Sequence, residues 1–416
     1  MGRATGGVRF VDWMRPGIAF AVNGALYGSL LARFPEIADR VSASESQFGV
    51  ALFAAAIGGL LGSLAAPRLT RAVGDLRAAL VAGTGYAALA VAVAWAPDLT
   101  LLGCALLLVG ILDGAHDVTM NAAAVRAQQQ LSTVLMGRLH ATWSLSLVGA
   151  GALGAAAAGL AVPVPLHINL VAVAAIALQL IVAGRRESVP AGRSTVPVAA
   201  VPPESAESAE RDPASAVRPV RLRHVLPVLG LAALAASYVE SPGQEWTGLL
   251  LSRGLHAEAQ VAASAPVLFA AGLVASRLAL DSAQRRLGSR AVAIASGVTM
   301  LLAVLAGTLF TAVQAAPVWA LAAIAVAGVG AGPVFPLLFG AADHLSVRHG
   351  IPAARTASIV SALSRIGAIS APVVVGPLTE TLGMAMVFAV MATGALLVLL
   401  ALPRAAGDPP AVRNGR

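Results

Sequence analysis

The chain has 416 residues, of which 58% are hydrophobic, 12% charged and 4% aromatic, with a mean hydropathy of +0.81. Soluble globular proteins carry roughly 45–50% apolar and about 25% charged residues, so an ordinary multidomain soluble enzyme, a disordered chain and a disulfide-stapled secreted module are excluded. A bilayer-spanning helix needs about 20 mostly apolar residues, and this composition furnishes about a dozen of them.

In chain order, Arg3, Arg9 and Arg15 precede an apolar stretch from Pro16 to Ala32. A signal peptide would end at a small-residue cleavage site. This stretch runs instead into Arg33-Phe34-Pro35-Glu36, and more spans follow, so it reads as an uncleaved first helix. Further apolar runs lie near 47–66, 76–96, 99–125, 137–162 and 165–183. A polar segment then includes Val201-Pro202-Pro203-Glu204-Ser205-Ala206-Glu207. Its composition cannot bury a core, and it reads as a flexible linker. Six more runs lie near 224–239, 260–280, 290–312, 317–341, 355–376 and 380–402. The expected organisation is a six-helix half over 1–184, a cytoplasmic linker over 185–223, a second six-helix half over 224–403 and a cytoplasmic tail over 404–416. The fold class is all-α: a polytopic membrane protein of twelve transmembrane helices in two pseudo-symmetric halves.

The net charge of +8 would point to nucleic acid in a soluble chain. Here it reads as an orientation signal. All 28 basic residues are arginine, and with the N-terminus inside, 24 of them fall in inner loops and tails. Three (Arg33, Arg40, Arg253) fall outside, and Arg365 falls within a span. The outer side carries Glu36, Asp39, Glu45, Asp98, Glu240, Glu245, Glu258 and Glu380. The positive-inside rule then places both termini in the cytoplasm. Gly110, Gly114 and Gly149 recur at Gly328, Gly332 and Gly367, each displaced by 218 residues. The turn Arg71-Ala72-Val73-Gly74-Asp75-Leu76-Arg77 is echoed by Arg285-Arg286-Leu287-Gly288-Ser289-Arg290. Two parallel repeats are the frame of a transporter with a mid-membrane site.

The fourth span holds Asp113, His116, Asp117 and Asn121. Asp113, Asp117 and Asn121 are four apart and share a helical face. A charge at the bilayer centre costs at least about 2.5–3.5 kcal/mol, so these acids face protein or a water-filled cavity. They read as a proton or solute site, with pairing to Arg126 or Arg138 near the headgroups as the bland alternative. His140, followed by Thr142, Trp143 and Ser144, suits proton relay; a hydrogen-bonded core histidine is the competing reading. Arg365 lies about ten residues, roughly 15 Å, into its span. At that depth it needs an anion: an acid of the other half, or a group on the solute. Glu240-Ser241-Pro242-Gly243-Gln244-Glu245-Trp246-Thr247 interrupts the seventh run, as a broken helix at a cavity or as an outer loop. Asn23, Tyr27 and Gly28 share a face of the first span, and Gly24/Gly28, Gly58/Gly62 and Gly110/Gly114 are small-residue pairs that let helices approach. The lone Cys104 excludes an internal disulfide and a cysteine-based metal site.

With these motifs the chain resembles the major facilitator superfamily, and within it the bacterial transporters grouped as MosC-like or YbjJ-like, over essentially its whole length. Arg33-Phe34-Pro35-Glu36-Ile37 with Gln47-Phe48-Gly49 is similar to the group's R-[IF]-P-x-I and the start of its second helix. Asp117-Val118-Thr119-Met120-Asn121 is similar to D-V-x-M-N, His140-Ala141-Thr142-Trp143-Ser144-Leu145 to H-A-x-W-S-L, and Glu240 with Glu245-Trp246-Thr247 to E-x4-D-W-S. Gly328, Gly330 and Pro336, and Pro372 with Gly376, match the tenth and eleventh helices. The superfamily's G-x3-D-R-x-G-R-R loop is altered: Thr70 takes the aspartate position, and Arg71, Gly74 and Arg77 are spaced one residue wider. The second copy retains Asp281 with Arg285, and the resemblance implies gating roles for these loop residues. Arg365 stands where a tyrosine is usual and Pro333 where an asparagine is. The proline of the drug-antiporter fifth helix is absent around Gly149, Gly151, Gly154 and Gly159.

The resulting expectation is a secondary transporter, not an enzyme, moving a small polar solute (a sugar, polyol or related metabolite) across the bacterial cytoplasmic membrane by alternating access. Proton coupling is expected through Asp117, with His140 and Asp113. Asn23, Tyr27, Asn121, Trp143, Glu245, Trp246 and Arg365 are the expected solute contacts. The alternatives are an efflux pump for a drug or secondary metabolite and a transport-dead membrane receptor acting through its linker. No cofactor, metal or nucleic-acid partner is expected; the partners are solute, protons and lipid, and the chain acts as a monomer.

Overall fold

The computed structural model describes residues 10–131, 135–183, 222–349 and 352–405; the expected linker and most of the expected tail lie outside the described residues. Every regular element among the described residues is a helix. The first part of the chain forms α1 (Phe10–Arg40), α2 (Glu45–Val73), α3 (Asp75–Trp95), α4 (Leu99–Leu131), α5 (Met136–Gly159) and α6 (Val164–Ala183). Next come α7 (Leu222–Glu245), the single turn α8 (Thr247–Leu249), a π-helical turn at Leu250–Gly254, and α9 (Ala259–Leu287). The chain continues through α10 (Ser289–Ala312), α11 (Pro317–Ala331), α12 (Val334–His349), α13 (Ala353–Leu382) and α14 (Met386–Ala405). Among the described residues, eleven stretches, with α11 and α12 taken as one, are long and apolar enough to cross a membrane. The twelfth is α7, whose last turns are diluted by Glu240, Ser241, Gln244 and Glu245.

Three boundaries differ from the sequence expectation, each at a proline. The first helix does not stop at Ala32 but runs through Pro35 to Arg40. Proline removes one helical hydrogen bond, here to the Leu31 carbonyl, and the surrounding packing holds the helix together. Arg33, expected in an outer loop, is therefore a fully buried residue of α1. Likewise α7 continues through Pro242 and Gly243 to Glu245, and the break comes at Trp246, before the π turn. The tenth apolar run is split instead, between Ala331 and Val334. There Pro333 and Pro336 take away the amide donors that Val329 and Gly332 would have used.

Helix association inside a bilayer gains nothing from apolar transfer, so close backbone packing carries it. In α2 and α4 a side chain at Gly58 would stand 2.9 Å from Ile111 N, and one at Gly114 would stand 2.8 Å from the Cα of Gly59. In α9 and α11 a side chain at Gly272 would stand 2.8 Å from Val329 N, and one at Gly332 would stand 3.2 Å from the carbonyl carbon of Leu273. The contacting pairs correspond: α2 maps onto α9 with an offset of 214 residues, and α4 onto α11 with an offset of 218. Gly74 and Gly288, also 214 apart, take φ of 85° and 81° at the α2–α3 and α9–α10 turns. This left-handed region strains any residue with a Cβ.

The described chain forms two compact units. One gathers Met1–Thr195, Gln244–Ala270 and Pro372–Met384, and the other Val196–Gly243, Ala271–Ala371 and Ala385–Arg416. A leucine at Gly114 must push α4 off the α2 backbone, whereas Gly149 has no atom within 4 Å of a built Cβ. Gly114→Leu is therefore expected to lower the melting temperature of detergent-purified protein by roughly 5 °C or more, or to abolish its monodisperse elution. Gly149→Ala should leave both within error.

Candidate functional site

The polar centre of the first unit is built by a close helix crossing. Gly24 and Gly28 bring α1 onto the α5 backbone, so that a Cβ at Gly24 would lie 3.1 Å from the Trp143 carbonyl carbon. That approach puts Asn23 against the indole of Trp143, whose Nε1 donates to Asn23 Oδ1 at 2.7 Å. The Asn23 amide nitrogen donates to Asp113 Oδ1 at 2.7 Å and lies 3.5 Å from His116 Nδ1. Asp113 sits about 21 Å along α4 from Leu99 and about 27 Å from Leu131, near the middle of the helix. Asn23 and His116 are buried, while Asp113 keeps partial exposure and one carboxylate oxygen with no hydrogen bond among the described residues. His116 fits because Gly83 of α3 has no side chain: a Cβ there would stand 2.6 Å from the ring and 2.7 Å from the Gln179 amide group of α6.

One turn beyond Asp113, Asp117 is exposed and accepts from Asn121 Nδ2 at 3.1 Å. His140 is exposed on α5 with its ring edge-on to Phe20, centroids 5.2 Å apart. Tyr27 is half-buried one turn along α1 from Asn23. The structure thus brings together Asn23, Asp113, His116 and Trp143, with Asp117 and Asn121 on the same stripe of α4. The paired role of His116 was not legible, because it depends on the gap left by Gly83.

The remaining first-unit candidates lie elsewhere. Trp246 is fully buried, edge-on to Phe48, which is edge-on to Phe34. Beside this aromatic seam, Arg253 of the π turn donates Nη2 to Asp39 Oδ1 at 2.7 Å and Nη1 to Glu45 Oε1 at 3.1 Å. Ser44 caps α2 in a capping box with Gln47, and its hydroxyl and the Ser46 amide both donate to Glu380 Oε2 at 2.9 Å. A Cβ at Gly49 would lie 3.3 Å from the Pro372 carbonyl carbon, and one at Gly376 would lie 2.7 Å from Glu45 O. Segments distant in sequence are thereby stapled onto the ends of α1 and α2. At the other end of α2, Arg71 and Arg77 are exposed, and the ion pair belongs to Asp75 and Arg126, at 2.5 Å.

In the second unit, Arg277 lies within α9, not in the inner loop to which the arginine count assigned it. Its Nε donates to Gly332 O at 3.0 Å, the carbonyl orphaned by Pro336, and its Nη2 lies 3.4 Å from Glu240 Oε1 of α7. Tyr238 shares a 2.8 Å hydrogen bond with Ser370, and Ser237 donates to Ser364 O at 2.8 Å. Arg365, next in sequence to Ser364, is exposed and makes no hydrogen bond or ion pair among the described residues. Asp281 and Arg285 are exposed near the end of α9, with no ion pair within 4 Å among the described residues.

Comparison with known proteins agrees with this architecture. The family model of the Major Facilitator Superfamily matches residues 17–354. The uncharacterized transporter y4wD of Sinorhizobium fredii (strain NBRC 101917 / NGR234) is 27% identical over 395 residues, covering 94% of this chain and 97% of that protein. The membrane protein MosC of Rhizobium meliloti is 22% identical over 368 residues, covering 88% and 83%. Among solved structures, the nucleoside transporter NupG superposes with a TM-score of 0.69 at 12% identity, over 95% of this chain and 98% of that one. A bacterial homolog of the human lysosomal transporter Spinster gives 0.65 at 13%, over 95% of each. With twelve spans, a repeated helix-crossing frame and a family match over most of its length, the chain belongs to the major facilitator superfamily of transporters.

Proposed function

We propose that the chain moves a small polar solute, a sugar, polyol or related metabolite, across the bacterial cytoplasmic membrane by alternating access, coupled to protons. The reading is carried by Asp113: a carboxylate at mid-helix in a membrane span, fixed by Asn23 at 2.7 Å and still holding an open oxygen. Burying it ionised and unpaired costs far more than burying it protonated, so a proton taken up there alters the cost of closing water away from the site. Asn23 spends its amide on Asp113 and Trp143, which makes it the residue that positions both. Asp117 and His140, exposed nearby, are the route by which protons reach Asp113. Trp143 offers its ring face to the solute. Arg365, with no ion pair among the described residues, takes a polar or anionic group of the solute.

The charge asymmetry of the loops supports an orientation with both termini in the cytoplasm. The Arg253 latch and the aromatic seam then lie at the outer face, where they must part for the solute to enter or leave. NupG transports nucleosides, as its name states, and y4wD is called a transporter; these names favour transport over a receptor role and over enzymatic activity.

Three outcomes test the reading. In proteoliposomes, with the solute chosen as the best thermal stabiliser among inositols, sugars and nucleosides, Asp113→Asn should reduce accumulation driven by a pH gradient at least about 10-fold. Exchange without a gradient should persist. Unaltered gradient-driven accumulation would remove Asp113 from the coupling role. Arg365→Gln should raise KM about 10-fold or more while the melting temperature stays within error, because Arg365 makes no hydrogen bond or ion pair among the described residues. Arg253→Gln removes charge-assisted hydrogen bonds to two carboxylates and should lower the melting temperature by about 2 °C. That loss should shrink at high salt, since the pairs are partly exposed.

A further inference from the structure

A second polar cluster lies about 15 Å along α1 from Asn23, with no role in the site described above. Arg33 is fully buried, pairs through Nε with Glu36, and donates Nη2 to Val162 O at 2.6 Å. Its other terminal nitrogen, Nη1, is buried with no partner. Ser29, one helical turn earlier on the same face, has a buried hydroxyl with no partner, and both ring nitrogens of His167 on α6 are in the same condition. Ser29 is 1% exposed and His167 7%.

Gly154 of α5 packs closely against Ala32 of α1 and the His167 ring of α6, so α1, α5 and α6 meet at these groups. A Cβ at Gly154 would lie 3.3 Å from His167 Cε1 and 3.8 Å from Ser29 O. Val162, held by Arg33, immediately precedes Pro163, whose carbonyl accepts from the His167 amide at 3.1 Å. The guanidinium is thereby fixed at the start of α6, where helix N-termini favour negative charge. Ala32, Ala155, Ala158 and Ala263 form the adjoining apolar cluster.

Buried polar atoms without partners are rare in native structures, and a cluster of them on facing helices calls for a guest. The balance of the cluster is on the donor side: two N–H of Arg33, the Ser29 hydroxyl and at least one His167 N–H. The Arg33 side chain is 1% exposed whereas its counter-ion Glu36 is 32% exposed, so the positive charge is the more deeply buried of the two. We infer that Ser29, Arg33 and His167 form a binding site for a small inorganic anion of halide size. The anion would tie α1 to the start of α6 beside the ends of the helices that carry the Arg253 latch.

The test uses the full-length protein in detergent, titrated with sodium bromide against sodium gluconate at constant ionic strength. Wild type should show saturable thermal stabilisation by bromide, and Cys104→Ser should respond in the same way. His167→Leu, which keeps the side-chain volume, and Ser29→Ala should weaken the apparent affinity at least about 5-fold each. In crystals soaked in bromide, an anomalous peak should lie within hydrogen-bond distance of Arg33 Nη1. Equal melting in bromide and gluconate, a wild-type response from His167→Leu, or a water without anomalous signal at that place would each overturn the assignment.

Discussion

In hydrocarbon, apolar side chains gain nothing by leaving lipid for a neighbouring helix, and that constraint decides how this protein is held together. Association has to come from dispersion between surfaces that fit closely and from polar groups with nowhere else to go. The glycines of α2 and α4 meet backbone on the facing helix, as do Gly24 and Gly28 of α1 against α5. These crossings also create the candidate site. The indole of Trp143 reaches Asn23 because no side chain at Gly24 keeps α1 away from α5, and His116 is accommodated because Gly83 leaves room for its ring.

The same frame recurs in the second unit with different chemistry hung on it. Ser63 of α2 corresponds to Arg277 of α9 by the 214-residue offset, and Gly114 to Gly332 by the 218-residue offset. The Ser63 hydroxyl lies 3.4 Å from Gly114 O, and Arg277 Nε lies 3.0 Å from Gly332 O. A side chain–carbonyl contact is thus kept while a neutral donor is replaced by a cation, and Glu240 supplies the counter-charge. Asp113 has Ala331 as its counterpart, so the mid-helix acid of α4 is not repeated in α11. Duplicated halves that diverge in this way separate the tasks. In the first unit Asp113 keeps an open carboxylate oxygen among the described residues, whereas the second holds the Arg277–Glu240 pair and the exposed Arg365.

The spans and the repeat were legible in the sequence, because apolar runs of bilayer length and glycines at a fixed displacement are local properties of the chain. The proline-containing ends were not. Arg33-Phe34-Pro35-Glu36 has the composition of a loop, yet Pro35 costs α1 only one hydrogen bond, and the helix continues to Arg40. In α7 the interruption expected over Glu240–Thr247 narrows to a break at Trp246, because Pro242 likewise leaves the helix intact. Arg277 sits near the end of an apolar run, and only its acceptors on α7 and at Gly332 distinguish it from the loop arginines that follow. Helical spacing put Asp113, Asp117 and Asn121 on one stripe, but which acid meets Asn23 depends on how far α4 is slid past α1. No one-dimensional pattern carries that shift.

Hydrogen-bonding capacity offers a way to sort polar residues in such a chain. Asp75 at the start of α3 pairs with Arg126 near the end of α4, and Asn23 spends donor and acceptor on three neighbours, so removing either set disturbs structure first. Among the described residues, Asp113 has one oxygen held and one open, and Arg365 is exposed without an ion pair. A membrane protein leaves such capacity uncommitted only where water or a ligand meets it, since the alternative is several kcal/mol per group. Residual capacity, more than residue type, therefore marks the groups left open to water or a ligand, and it separates Asp113 from Asn23 although the two are hydrogen-bonded to each other.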